Sequence, residues 1–249
     1  MIHWLAILAI GATVGFLAGL FGKGGSAMAT PVLHTIGLPA MVALAAPLPA
    51  TIPSTMVASA AWWREHQVDR RVLWWSVVWG LPATVAGALL TRWISGVRLV
   101  QGTDLLLAGL GVRFLLAPDG PGAMAGGRRE PAPALLAGVS VVAGLAGGLL
   151  ANSGGFLLAP LYIAVLGLTI KPALATSLAV AAVLAVPGTI VHAALGHVDW
   201  AVVAVFGTAS IPLSWTGARV AVRARPERLQ RAFGVVLALL GTGFLLIGR

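Results

Sequence analysis

The sequence contains no cysteine, only seven acidic residues and few charges of any kind. The missing cysteines exclude disulfides, thiolate metal ligands and cysteine nucleophiles. Charged residues make up 9% of the 249 residues, whereas a soluble domain has about 25%. The hydrophobic share is 59% and the mean hydropathy is +0.96. Apolar stretches of about 20 residues recur along the chain, so the composition indicates a polytopic all-α membrane protein.

Apolar runs bounded by charge, glycine or proline predict ten membrane segments. Their approximate limits are 3–21, 27–38, 41–63, 72–92, 103–117, 134–151, 156–167, 172–193, 199–221 and 229–247. A polar stretch rich in glycine and proline separates the fifth segment from the sixth. We therefore expect a first transmembrane repeat at residues 1–117, a cytoplasmic linker at 118–133 and a second repeat at 134–249.

The two halves match each other in sequence at two neighbouring offsets. At an offset of 129 the matching pairs are Gly15 with Gly144, Gly19 with Gly148, Gly25 with Gly154, and Pro31 with Pro160. At an offset of 130 they include Asp69 with Asp199, Pro82 with Pro212, Gly87 with Gly217, Gly111 with Gly241, and Phe114 with Phe244. We infer an internal duplication. Because each half has five segments, an odd number, the second repeat is predicted to lie inverted relative to the first.

Positive charge is distributed unequally over the two sides of this predicted topology. Thirteen basic residues fall on one side and three on the other. The positive-inside rule places the larger group in the cytoplasm and both termini outside it. The larger group is Lys23, Arg64, Arg70, Arg71, Arg113, Arg128, Arg129, Lys171, Arg219, Arg223, Arg225, Arg228 and Arg231, and the smaller is Arg92, Arg98 and Arg249.

A glycine-rich stretch interrupts the apolar pattern once in each half. The first reads GLFGKGGSAMATP (residues 19–31) and the second GLLANSGGFLLAP (148–160). A helix that restarts after such a break presents free N–H groups and partial positive charge, which suits an anion. We predict that the two breaks face each other as a clamp for a small anion. Its candidate residues are Lys23, Gly24, Gly25 and Ser26 in the first break, and Asn152, Ser153, Gly154 and Gly155 in the second.

The segments that follow the breaks, 27–38 and 156–167, have only 12 residues each. At about 1.5 Å per residue they reach about 18 Å, against a hydrocarbon core of about 30 Å. Short, interrupted, paired segments are typical of the binding site of an inverted-repeat transporter. Full crossings and re-entrant pairs both fit the pattern. Two alternatives stay open: the glycines serve helix packing, and Lys23 reaches the lipid headgroups.

Polar side chains inside the third and eighth segments complete the set of candidate binding residues. They are Thr51, Ser54, Thr176, Ser177 and His192. Hydroxyl groups suit an oxyanion, but serine and threonine also bond to their own helix backbone, which is the expected role for any single one. Tryptophans fall at the predicted membrane interfaces, where a belt of anchors accounts for them. They include Trp62, Trp63, Trp74, Trp75 and Trp200.

The pattern resembles the sulfite exporter TauE/SafE family of bacterial membrane permeases. The resemblance covers nearly the whole chain and rests on both glycine stretches, on ATSLAV (175–180) and on GHVDW (196–200). It implies export of sulfite, sulfoacetate or related small organosulfur anions across the bacterial cytoplasmic (inner) membrane. Both copies depart from the family's usual G-x-G-G-G.

We therefore expect a secondary transporter that works by alternating access, with a small anion and the lipid bilayer as its partners. No acidic residue falls in the middle of a predicted segment, so weakly coupled or facilitated export is expected. Catalytic constellations are missing from the segments, and no cofactor, metal or nucleic acid is expected. A homodimer stays open. The alternatives are a permease for another small solute or a metal, and a non-transporting scaffold subunit.

Overall fold

The computed structural model describes residues 4–22, 26–102, 131–151 and 155–247, together with residues 105 and 109. This part of the chain is helical and contains no strand. A 3₁₀ turn, Thr91–Trp93, follows α5, and residues 96–102 are also helical. The labelled helices are α1 (Trp4–Phe21), α2 (Ser26–Thr35), α3 (Ala40–Ala45), α4 (Pro47–Arg64), α5 (Arg70–Leu90), α6 (Pro133–Leu149), α7 (Gly155–Ala164), α8 (Ile170–Ala194), α9 (Trp200–Arg223) and α10 (Pro226–Ile247).

Five stretches of the described chain are long and apolar enough to cross a membrane, which confirms the all-α polytopic class. They are Trp4–Phe21, Ala40–Arg64, Arg70–Trp93, Ile170–Ala194 and Trp200–Arg223. The apolar helix α6 is shorter, at 17 residues. The predicted fifth segment, 103–117, and the predicted linker, 118–133, lie almost entirely outside the described residues.

The helices that follow the two glycine stretches are even shorter than the sequence predicts. Both α2 and α7 have 10 residues, which corresponds to about 15 Å of helix. Each contains its predicted proline, Pro31 or Pro160. Neither helix is long enough to cross the hydrocarbon core alone, which favours re-entrant pairs over full crossings.

Two aspartates begin equivalent helices in the two halves. Asp69 precedes α5, and its Oδ1 accepts hydrogen bonds from the backbone N–H groups of Arg71 and Val72, both at 3.0 Å. Asp199 precedes α9 and makes the same two bonds, at 2.9 and 3.2 Å, to the next turn. These N-caps satisfy donors that a membrane helix cannot leave unpaired. They are related by the offset of 130 found in the sequence.

Glycines allow α1 to lie directly against the backbone of α9, and α6 against that of α5. A Cβ added at Gly15 would lie 2.5 Å from Ser210 Cα, and one at Gly144 would lie 2.6 Å from Gly80 O. The same close approach links Gly19 to Ser214 and Gly148 to Thr84. Each contact of the first helix pair therefore has a counterpart in the second at the offsets of the sequence repeat. Each pair contains one helix from each half.

The order of these contacts gives the relative direction of the helices. Along α1 and α9 the contacts advance together, from Gly11 with Phe206 to Gly19 with Ser214, so these helices run parallel. The contacts of α6 with α5 also advance together. Helix α8 runs parallel with α5, since Thr176 bonds to Asp69 and Leu184 lies beside Gly80.

Helix α8 is the most buried of the five long helices and lies at the centre of the larger hydrophobic core. Several tryptophans are exposed on the outside, including Trp74 at 68% and Trp200 at 60%. Trp62 is 0% exposed and packs in the core. The prediction that Trp62 anchors the protein in a membrane-interface belt is therefore wrong, because it lies on the inner face of α4.

Replacing a glycine at a helix crossing should separate the two helices. We expect Gly19→Ala to lower the free energy of unfolding by about 1–3 kcal/mol, because the added methyl group overlaps the rigid backbone of Ser214. Gly148→Ala should act in the same way. The measurement is the melting temperature of the purified protein in detergent.

The control is Gly138→Ala in α6, where an added Cβ meets nothing within 4 Å. This variant should melt at the wild-type temperature or above it. If all three variants melted alike, the close approach of the helix backbones would not be the stabilising feature.

Candidate functional site

Most residues of the two predicted breaks lie outside the described part of the chain. These are Lys23, Gly24, Gly25, Asn152, Ser153 and Gly154. Ser26 is the first residue of α2, and Gly155 is the first residue of α7. Both short helices therefore begin directly after a break, and their N-termini point toward it. The binding role of these eight residues stays a prediction.

The two helices that precede the breaks end in the same conformation. Gly22 follows α1 with a φ of 66°, and Ala151, its equivalent at an offset of 129, follows α6 with a φ of 43°. Left-handed residues of this kind commonly end helices, and glycine adopts them without strain. At Gly22 a side chain is also sterically excluded, since a Cβ would lie 2.6 Å from Leu174 O.

Ser177, a predicted site residue, lies at the end of α1 just before the first break. Its buried hydroxyl is 2.6 Å from Gly22 O and 2.9 Å from Leu174 O. Gly22 O belongs to the terminal carbonyls of α1, which have no partner within their own helix. Helix α8 of the second half thus supplies a hydrogen-bond donor to the end of the broken helix of the first half.

His192, another predicted site residue, lies near the end of α6 before the second break. Its Nε2 is 3.1 Å from Gly148 O, and its Nδ1 is 3.1 Å from Nδ1 of His197. Because the carbonyl only accepts, Nε2 of His192 must carry a hydrogen. In the neutral imidazole Nδ1 then accepts from His197. Helix α8 therefore contacts the ends of both broken helices.

The structure does not bring the two sets of break-flanking residues into one cluster. Ser177 and His192 are 15 residues apart on one continuous helix, which corresponds to about 22 Å. Gly22 lies at the level of Ser177, and Gly148 lies at the level of His192. The described flanks of the two breaks thus lie toward opposite ends of α8. The clamp of two facing breaks, whose residues lie mostly outside the described chain, stays a prediction.

The remaining predicted hydroxyls bond to backbone groups. Thr51 Oγ1 donates to Pro47 O at 3.1 Å, and Ser54 Oγ donates to Ala50 O at 2.7 Å. For these two residues the expected bonding to their own helix is confirmed. Thr176 Oγ1 accepts from the backbone N–H of Asp69 at 2.9 Å and so ties α8 to the start of α5.

A buried hydroxyl cluster was not predicted from the sequence. Ser76 Oγ lies 2.6 Å from the hydroxyl of Tyr162 and 3.3 Å from Ser140 Oγ. This cluster holds the short helix α7 against α5 and α6. The available signal was that Tyr162, the only tyrosine of the chain, falls in a short segment directly after a break.

These features define a polytopic α-helical membrane protein with a short helix after each interrupted one. The family model described as "Sulfite exporter TauE/SafE" matches residues 7–244. The chain belongs to this family, as the resemblance in the sequence implied, and the protein is a membrane transporter.

Curated relatives carry the same general description. A "Probable membrane transporter protein" of Xylella fastidiosa (strain 9a5c) is 28% identical over 245 residues, covering 91% of this chain and 89% of the relative. "Probable membrane transporter protein YjnA" of Bacillus subtilis (strain 168) is 25% identical over 248 residues, covering 95% and 98%. No solved structure matches the chain.

Removing the Ser177 hydroxyl should destabilise the end of α1. We expect Ser177→Ala to lower the free energy of unfolding by about 1–3 kcal/mol, because Gly22 O loses its buried donor. Thermal unfolding in detergent measures the change. The matched control is Ser59→Ala, since the buried Ser59 hydroxyl has no hydrogen-bond partner among the described residues. A loss of equal size in both variants would contradict the capping role.

The loop residue His197 should make stability depend on pH. Burial lowers the pKa of His197 below its ordinary value, so the unfolded chain binds a proton more readily than the folded protein. Its contribution is therefore complete above the ordinary pKa of about 6.5 and is lost progressively as the pH falls from that value toward the lower pKa of the folded protein. We expect the melting temperature to decrease from pH 7.5 to pH 5.5, and His197→Gln to reduce that decrease. His66→Asn, which removes an exposed imidazole, is the control; an unchanged pH profile in His197→Gln would refute this assignment.

Proposed function

We propose that the protein exports small sulfur oxyanions, such as sulfite or sulfoacetate, by alternating access. The observation that carries the proposal is that α8 supports both broken helices, one near each of its ends. Family membership supports the substrate class. The N-termini of α2 and α7, which begin at the breaks, supply the partial positive charge that an anion requires.

We propose further that the two halves are inverted repeats. Helix α9 runs antiparallel to α8, since Lys171 at the start of α8 donates to Val222 O at the end of α9 at 2.9 Å. Because α1 runs parallel with α9, while α5 and α6 run parallel with α8, the equivalent helices α1 and α6 run in opposite directions. This arrangement supports inverted topology, which is the recurring basis of alternating access in secondary transporters.

Because the flanks of the two breaks are separated, we propose that an anion contacts the breaks one after the other. It contacts the Lys23–Ser26 break near one face and the Asn152–Gly155 break near the other. The face with the first break also carries Arg64, Lys171, Arg219 and Arg223 at its helix ends. By the positive-inside rule we assign this face to the cytoplasm, so the anion leaving the cell reaches the first break first.

The membrane potential supplies a driving force for this direction of transport. An inside-negative potential favours the exit of an anion by about 2.3 kcal/mol per charge per 100 mV. Because the membrane potential alone can drive the anion out, we propose weakly coupled or facilitated export. Flux that stays dependent on a pH gradient at zero voltage would argue for proton coupling instead.

Flux through the purified protein in liposomes tests the proposed function. The panel is sulfite, sulfoacetate, taurine, acetate and a divalent metal ion. We expect saturable flux of the sulfur oxyanions and a severalfold loss of that flux in Lys23→Gln, because the substitution removes the only cation of the first break.

The matched control is Lys171→Gln, which removes the chain's other lysine from the same face but far from the break in sequence. It should retain most of the flux. Equal flux in wild type and Lys23→Gln would indicate that Lys23 contacts the lipid headgroups instead of the anion. Transport of another solute, or of none, would favour the other-permease or scaffold alternative.

A further inference from the structure

A cleft of about 410 Å³ opens between the C-terminal halves of α4 and α9. It is separate from the residues that flank the breaks. Its apolar wall is formed mainly by small and branched side chains, and its rim carries three arginines and one glutamate. The lining residues are Val57, Ala60, Ala61, Arg64, Glu65, Trp215, Arg219, Val222 and Arg223.

The lining therefore contains three guanidinium groups and one carboxylate, so the cleft carries a net positive charge. Arg219 is held over the ring of Trp215, with its Cζ 4.5 Å from the ring centroid, which fixes a cation in the cleft. Among the described residues, no ion pair neutralises Arg64 or Arg223. Guanidinium groups suit planar and tetrahedral oxyanions because they donate in a fixed fork geometry.

The charge of this cleft does not follow from the repeat. At an offset of 130, the equivalent positions in the other half are apolar, so they form no counterpart to the arginine cluster. Arg64, Glu65, Arg219 and Arg223 correspond to Ala194, Leu195, Leu89 and Trp93. The asymmetry agrees with the unequal distribution of positive charge over the two faces, and the packing of α4 on α9 gathers three of these charges in one cleft.

We propose that this cleft binds the oxyanion group of an organic anion, with the carbon that carries that group on the wall formed by Val57, Ala60 and Ala61. The ligand chemistry is a sulfonate or phosphate group joined to carbon. One source is the cytoplasmic organosulfur substrate, for which the cleft would be the first binding station; this assignment rests on the proposed function. The other source is the phosphate of an anionic lipid.

The test uses Arg219→Gln, Arg223→Gln and the triple variant that adds Arg64→Gln. Arg70→Gln is the control, since it removes a charge from the same face outside the cleft, where Arg70 lies 5.9 Å from the ring of Trp63. All four substituted arginines are exposed, so folding should be retained. Melting temperature and elution volume in detergent verify this.

Two readouts distinguish the sources of the ligand. Sulfoacetate flux is measured in neutral phosphatidylcholine liposomes, and retained phosphatidylglycerol is measured by native mass spectrometry. If a soluble substrate binds in the cleft, each single variant should raise the KM about two- to fivefold and retain the maximal rate. The change in KM is small because exposed charges are partly screened. A lipid in the cleft predicts severalfold loss of bound phosphatidylglycerol with an unchanged KM.

Either result supports an oxyanion site in the cleft. If wild-type protein shows no flux of any sulfur oxyanion, the proposed function fails, and the lipid readout alone decides on the cleft. The inference is overturned if the triple variant matches Arg70→Gln in every readout that the wild type supports.

Discussion

The need to satisfy backbone polar groups without water governs this structure. A helix that ends inside a membrane leaves terminal carbonyls that lipid cannot pair. Helix α8 contributes to this: its Ser177 donates to Gly22 O, and its His192 adds a bond to Gly148 O, which also accepts from the backbone N–H of Ala151 at 3.2 Å. Both interrupted helices therefore contact one buried helix through specific side chains.

Close backbone contact joins the two halves into a single body. Each glycine crossing pairs a helix of one half with a helix of the other, α1 with α9 and α5 with α6. Such contacts tolerate little sliding, because backbone atoms lie where side chains would otherwise separate the helices. The glycine crossings therefore fix α1 against α9 and α5 against α6.

The sequence predicted the helical class and the repeat offsets well. Both follow from apolar length and from identities such as Asp69 with Asp199, which prove to be equivalent N-caps. It also selected Ser177 and His192, but as candidate anion-binding residues, and that role stays a prediction. It did not predict their hydrogen-bond partners, since a contact between α8 and the end of α1 depends on packing across the whole chain.

Depth in the bundle was the property that sequence patterns left undetermined. Two similar glycine motifs predicted one facing clamp, which stays a prediction, but the described residues that flank them lie at different levels along α8. Trp62 was likewise predicted at the surface and is buried, whereas its neighbour Trp63 is exposed, and the sequence pair does not indicate which of the two faces the core. The arginine cleft could not be predicted from the sequence either, because Arg64 and Arg219 are far apart in sequence and come together only where α4 packs on α9.

The most direct test of this account is the side from which each break is reached. The chain has no native cysteine, so Ser26→Cys and Ser153→Cys are single reporters for a membrane-impermeant thiol reagent. Gln67→Cys and Ser95→Cys, in the loops before and after α5, mark the two faces. The account predicts that Ser26→Cys reacts from the face of Gln67→Cys and Ser153→Cys from the face of Ser95→Cys. Reaction of both break reporters from the same face would contradict it.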